Sequence, residues 1–137
     1  MELSAELRDL ILGFYDAVNR GDAVRLEQML SSDEAAIFIG TDPREWWRGQ
    51  AARTAMRAQA AEMSGGLSIR PGDLQAYSEG TIGWAVDRPA FRLADGRELG
   101  FRGTYLFHKE DGEWKLVHAH WSLGVPNEEA LGQTLTV

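Results

Sequence analysis

The chain has 137 residues, 44% apolar and 26% charged, and its 14 basic against 21 acidic side chains leave a formal net charge of −7. That suffices for one core, so a single domain over residues 1–137 is expected; no apolar run reaches the roughly 18 residues of a membrane span, and the acidic start MELSAELRDL is unlike a signal or transit peptide, so a cytoplasmic location is expected. The lack of cysteine excludes disulfides, zinc–thiolate sites, iron–sulfur clusters and thiol nucleophiles, and the lack of a basic patch argues against nucleic acid and anionic membranes as partners.

Leu3, Leu7, Leu10, Ile11, Phe14 and Val18 recur every three to four residues and predict an amphipathic first helix. Glu2 and Glu6 suit its positive end. Gly21 stops it, and Asp22 caps a second helix carrying Val24, Leu26, Met29 and Leu30. Residues 35–40 (AAIFIG) read as a short buried strand. Thr41-Asp42-Pro43 is a turn, because proline forces the preceding residue out of helix. Glu45-Trp46-Trp47-Arg48 is extended, with Glu45 and Arg48 as surface charges. Residues 50–63 form a third helix whose alanines allow a close approach to a sheet, and Ser64-Gly65-Gly66 ends it.

The second half changes rhythm. Hairpin turns at Glu79-Gly80, Asp95-Gly96 and Asp111-Gly112 place glycines sixteen residues apart. They predict an antiparallel meander of four long strands, about 67–78, 81–93, 97–109 and 113–124. Strands of that length must twist and curl, and Gly83, Pro89, Gly100 and Gly103 are the places for bulges. Residues 125–137 read as a tail beyond a core of about 3–124. The expected class is α+β: three N-terminal helices packed in the concave face of a curved, mainly antiparallel sheet. The open end of such a cone is a natural ligand pocket.

On the last strand His118, His120 and Ser122 alternate with Val117, Ala119 and Trp121, so the two sets face opposite sides. Trp114 and Leu116 fall with the histidines. The apolar set fits the helix side, which puts the histidines on the convex face. There they would meet a second subunit, line a pocket, or bind a metal if a third ligand such as His108 joined them; no metal is assigned. Register decides the face of Arg102 and Thr104. A three-residue turn with a glycine bulge at Asp111-Gly112 sets Arg102 opposite His120 and Thr104 opposite His118. A two-residue turn sets Arg102 beside Trp121. The first is favoured, because it sends Phe101, Tyr105 and Phe107 to the core, and these with Leu99 are the more apolar set. A buried Arg102 would need an anionic ligand, or a carboxylate or carbonyl across an interface.

Several segments carry a resemblance: FYDAVNRGD at 14–22, FIGTDPREWWRG at 38–49, Arg102-Gly103-Thr104, and WKLVHAHWS at 114–122. Together they resemble the SnoaL-like family of the nuclear-transport-factor-2-like, cystatin-like α+β cone superfamily, over about residues 3–124. The last strand is also similar to that of the calmodulin-dependent kinase association domain, an oligomeric hub. The resemblance implies a cone with a pocket and a homodimer through the convex sheet, with no cofactor. Relatives of that fold include ketosteroid isomerases, dehydratases, epoxide hydrolases and polyketide cyclases, so the fold leaves the reaction open. In the isomerases a carboxylate in a similar Asp-Pro context is the general base, which makes Asp42 the candidate catalytic residue beside its plainer reading as a turn former. The isomerases' helix-one tyrosine falls at Phe14, which has no hydroxyl; Tyr15 points about 100° away round the helix. Their second acidic donor falls near Thr104.

The likeness also puts Trp46, Trp47 and Trp84 at the pocket mouth. With Phe14, Tyr105 and Trp121 they form the expected pocket lining, the alternative being packing in core or interface. The favoured reading is a binding protein for a small hydrophobic molecule. The alternatives are a cofactor-independent isomerase, dehydratase, cyclase or hydrolase, and an oligomeric hub.

Overall fold

The computed structural model describes all 137 residues. A short strand, β1 (Glu2–Leu3), leads into α1 (Ala5–Arg20). Ser4 caps this helix, its Oγ accepting the Leu7 N–H at 3.1 Å. Gly21 ends it at φ 64°, a left-handed conformation that favours glycine. Asp22 then accepts the Arg25 N–H at 3.1 Å and starts α2 (Ala23–Met29). β2 (Ile37–Ile39) and β3 (Trp46–Arg48) flank the proline turn, and α3 (Gly49–Met63) follows.

The expected four long strands are there in outline, but three are broken. They run as β4 (Ser68–Arg70) and β5 (Gln75–Glu79), then β6 (Ile82–Asp87) and β7 (Ala90–Arg92). β8 (Glu98–Gly100) and β9 (Arg102–Glu110) make the third pair, and only β10 (Glu113–Ser122) is continuous. The breaks fall together, at Pro71-Gly72, Arg88-Pro89 and Phe101. Pro89 has no N–H for a ladder. Its carbonyl instead accepts the Phe101 N–H at 3.0 Å. The result is a seven-stranded sheet in the order β1-β5-β6-β9-β10-β2-β3 and a separate three-stranded sheet, β4-β7-β8. Every pairing is antiparallel except β10 with β2, which is parallel. The tail carries a short fourth helix, α4 (Asn127–Leu131), exposed along its length. No helix is long and apolar enough to cross a membrane.

The register of β9 and β10 corrects the sequence reading in an instructive way. Asp111 (φ 51°) and Gly112 (φ 80°) form a two-residue turn with both central residues left-handed, as type I′ requires. That turn alone would have set Arg102 beside Trp121. A β-bulge at Val117 inserts one extra residue, and beyond it Thr104 pairs with His120 and Arg102 with Ser122. Arg102 and Thr104 therefore share the histidine face after all, each shifted by two from the expected partner. The bulge also returns Leu116 to the core beside Ala119, where strict alternation had put it on the outer face. Gly83 and Gly103, expected to host bulges, pair regularly instead. A Cβ at Gly83 would sit 2.2 Å from Leu7 Cδ1, so Gly83 lets α1 lie close on the sheet.

α1 buries Leu7, Ile11, Phe14, Tyr15, Ala17 and Val18. Each large side chain among them contributes roughly 1.5–3 kcal/mol by leaving water. α3 adds Ala52, Met56 and Ala60, one row at four-residue spacing. The sheet's inner face answers with Ala85, Tyr105, Phe107, Leu116 and Ala119, all buried.

Candidate functional site

The cone is largely filled by its own side chains. What stays open is a cavity of about 60 Å³ between α1, α3, the 40–45 turn, the small sheet and the end of β10. Phe14, Met56, Phe91, Phe101 and Trp121 supply much of its apolar wall. Phe14 and Trp121 lie nearly parallel, 6.3 Å apart at an 8° tilt, and Phe91 stacks on Phe101 at 4.2 Å. Exposed Thr41 marks the mouth.

Besides Thr41, two polar side chains stand in this wall, Glu45 and Gln59. The 40–45 turn is closed by two backbone bonds of 2.9 Å, Gly40 N–H to Glu45 O and Glu45 N–H to Asp42 O. Within it the Glu45 side chain folds back across Gly40, whose Cβ, if present, would lie 2.7 Å from both Cβ and Cδ of Glu45. Glu45 Oε1 accepts the Asp42 N–H at 2.8 Å, and Oε2 accepts Nε2 of Gln59 at 2.5 Å. Outside the mouth these two residues also border a wider, open hollow of about 410 Å³ shared with Asp42, Arg44 and Trp47.

Behind the wall runs a buried hydrogen-bond chain. Trp121 Nε1 donates to the Tyr105 hydroxyl at 3.1 Å. The Tyr105 and Tyr15 hydroxyls bond at 2.7 Å, and Tyr15 donates to Asp87 Oδ2 at 2.9 Å. Asp87 is 4% exposed and also accepts the backbone N–H groups of Gly72 and Arg88. Burial pushes both tyrosine hydroxyls well above their ordinary value near 10, and for Tyr15 the nearby Tyr105 and Asp87 add to the rise. Gly103 makes room for this chain: a Cβ there would lie 2.6 Å from the Tyr105 hydroxyl.

The residues singled out from the sequence separate into three places. Phe14 and Trp121 line the cavity, with Tyr105 one layer behind. Trp47 borders the open hollow. Trp46, 67% exposed, and Trp84, stacked on Tyr77 at 5.8 Å, lie on the outer sheet face, not at the mouth. Asp42 is a turn residue: both its oxygens accept from the Arg44 guanidinium at 3.0 Å, and Oδ1 also takes the Arg44 N–H at 2.9 Å. These bonds lower its carboxyl to about 2. A carboxylate held that firmly is a weak proton acceptor at neutral pH.

Arg102, Thr104, His118, His120 and Ser122 share the outer face. Arg102 is exposed, and its Nε donates to Ser122 Oγ at 3.1 Å. The His118 ring shares a proton with the Ile37 carbonyl across 2.8 Å, which makes Nδ1 the donor and leaves Nε2 free to accept. No set of three ligating side chains gathers around the histidines.

Gln59 and Asp87 were not singled out from the sequence, while Glu45 was expected as a surface charge and Tyr15 as turned about 100° from Phe14. The glycine five residues before Glu45, with an Asp-Pro turn between them, is the one signal that the Glu45 side chain folds inward. Tyr15 lies inward with Phe14 because α1 is clasped on two sides, by α3 and by the sheet.

The SnoaL-like domain family model matches residues 7–126. The chain matches none of the curated proteins. Among solved structures, an NTF2-like protein of unknown function from Pseudomonas putida superposes with a TM-score of 0.80 at 20% identity, over 98% of this chain and 96% of that one. A candidate ketosteroid isomerase from Shewanella frigidimarina reaches 0.68 at 23% identity, over 83% and 92%. A candidate calcium/calmodulin-dependent protein kinase type II association domain from Thiobacillus denitrificans reaches 0.68 at 14%, over 85% and 93%. At these identities the likeness establishes the NTF2-like, cystatin-like fold alone.

Proposed function

The chain belongs to the SnoaL-like domain family, and from that premise we propose that it binds a small apolar molecule in the cavity between α1, α3 and β10. The observation that carries this reading is the cavity wall, where nine of thirteen residues are apolar and the polar ones cluster at the mouth. Ligand pockets have that division: apolar walls give affinity, and a few polar groups give orientation. The volume of about 60 Å³ is small against the ~300–1,000 Å³ of common ligand pockets and equals the liquid volume of about two waters, so the occupant is a short, slim group of a few carbons. A polycyclic ligand does not fit without displacing Trp121.

Binding is favoured over catalysis by two placements. Asp42 is held by Arg44, and the hydroxyls of Tyr15 and Tyr105 are spent on each other and on Asp87. Glu45 is the one titratable side chain in the cavity wall, and a dehydratase, isomerase, cyclase or hydrolase would need a second group beside it to share the proton work.

The test is a titration with n-propanol, a chain short enough for the cavity, followed by tryptophan fluorescence and thermal unfolding. Saturable binding is expected, with stabilisation of about 2.7 kcal/mol at a ligand concentration about a hundredfold above Kd. Ala60→Leu, which fills the cavity from α3, should abolish binding and keep the far-ultraviolet circular dichroism. Absence of saturable binding to the unmodified protein overturns the reading.

The reading also includes a homodimer formed through the outer sheet face, in a cytoplasmic protein. Ile82, Val86 and Leu106 are 45%, 40% and 36% exposed there, beside Trp84 and Tyr77. Neighbouring apolar side chains bared on adjacent strands mark an interaction surface more often than a solvated one. The likeness to a kinase association domain is the support for a hub of more than two subunits.

A further inference from the structure

We infer that the ligand is amphipathic, with a slim apolar end in the cavity and a protonated amine head held by Glu45 at the mouth. The inference rests on the reading of the cavity as a binding site and specifies what that site selects.

The argument begins with the carboxylate. An ionised carboxylate offers about four acceptor positions. Glu45 uses one on each oxygen, for the Asp42 N–H and for Gln59 Nε2. Those two bonds fix its position and leave the remaining lone pairs for a ligand. The bareness of Gly40 is what lets the side chain lie across the turn into the cavity wall. Glu45 is half-buried and borders both the cavity and the open hollow, so a charged head arriving from the hollow reaches it while the apolar end enters the cavity.

The neighbouring charges make the site cationic in preference. Arg44, the one basic side chain bordering the hollow, is engaged on both oxygens of Asp42. Arg44 is paired with Asp42 and only feels Glu45 through space, so the three groups together keep one net negative charge at the mouth. The net charge of −7 adds a long-range bias in the same direction. A carboxylate or phosphate head would meet repulsion at the mouth. A neutral hydroxyl would bond to Glu45 without the charge assistance that roughly doubles such a bond. The hollow of about 410 Å³ outside the mouth gives the head and anything attached to it room, next to Trp47.

The experiment compares n-propylamine, n-propanol and propanoate, three probes with the same short chain, by isothermal titration at neutral pH. Propanol reads the apolar cavity alone. The unmodified protein should bind propylamine about tenfold more tightly than propanol, the scale of one charge-assisted hydrogen bond, and propanoate most weakly. Glu45→Gln, of the same shape, should bring propylamine down to the level of propanol and leave propanol unchanged. Glu45→Asp, which keeps the charge and shortens its reach, should retain part of the preference. If propanol binds but propylamine is no tighter, or if Glu45→Gln leaves the preference intact, the assignment of the head is overturned while the cavity stands. If neither binds, the cavity reading falls and this inference with it.

Discussion

Tyr15 and Asp87 show what a buried polar chain does for this fold. Asp87 has no cationic partner; Tyr15 and two backbone N–H groups satisfy it. Removing the Tyr15 hydroxyl leaves the buried Oδ2 with only the long 3.4 Å bond from the Gly72 N–H, and under-satisfying a buried carboxylate costs more than the bond itself is worth. Tyr15→Phe should therefore destabilise the protein by about 1–3 kcal/mol in urea unfolding, although it adds no cavity. The same pair gives a pH signature. In the folded chain Tyr15 and Tyr105 are held protonated far above their ordinary value near 10, whereas the unfolded chain ionises them there. Their contribution to stability is fully present below pH ~10 and is lost as pH rises beyond it, because only the unfolded state then releases the protons. Absorbance titration of the tyrosinates should show two of the three tyrosines ionising only as the chain unfolds. Ionisation of all three in a chain that keeps its circular dichroism would refute the buried chain. From the sequence, Phe14 was legible as a wall residue because helical spacing reports one stripe. Tyr15 was not, since spacing does not reveal that a helix is packed on two sides. Glu45 was misread as a surface charge because the sequence does not print the path of a side chain.

At the level of elements, turns were legible and bends only in part: Pro89 and Gly100, expected where the strands curl, stand at two of the breaks, whereas Gly83 and Gly103 pair regularly. Positive φ needs glycine, asparagine or aspartate, so Gly80, Gly96 and Gly112 announced three reversals. A bulge adds a residue without demanding a type, so Val117 left no trace. The breaks that separate the two sheets depend on how adjacent strands pack, as Gly72 shows. A Cβ on Gly72 would lie 1.9 Å from the Arg88 carbonyl oxygen and 2.7 Å from its carbon, both backbone atoms that cannot swing aside. Gly72 also donates its N–H to Asp87 at 3.1 Å, which ties the bend to the buried chain. Gly72→Ala should cost about 1–3 kcal/mol, the range for overpacking. Gly100→Ala, with nothing within 4 Å of the added Cβ and no positive φ, should be near neutral or slightly stabilising. Equal melting temperatures for the two variants would show that the close contact at Gly72 does not hold the bend.

For the whole molecule the open matter is what covers the outer sheet face. β6 and β9 present Ile82, Val86 and Leu106 there, with Trp84 beside Leu106 and Thr104 opposite Val86. Arg102, His120 and Ser122 edge the patch from the neighbouring strand pair. An apolar centre with a polar rim is the arrangement that the proposed homodimer would use. A second copy satisfies it economically, because a two-fold axis brings the same patch from each side and like residues meet near the axis. Light scattering should return twice the 15.2 kDa chain mass at micromolar concentration. Leu106→Glu then puts a carboxylate into the apolar centre twice over, so the two charges face each other out of water. That variant should run as a monomer and keep its circular dichroism, since Leu106 points away from the core. A monomer from the unmodified chain would leave the face bare and remove the homodimer. A dimer indifferent to Leu106→Glu would move the interface to another surface, with the exposed Trp46 edge at β3 next to examine.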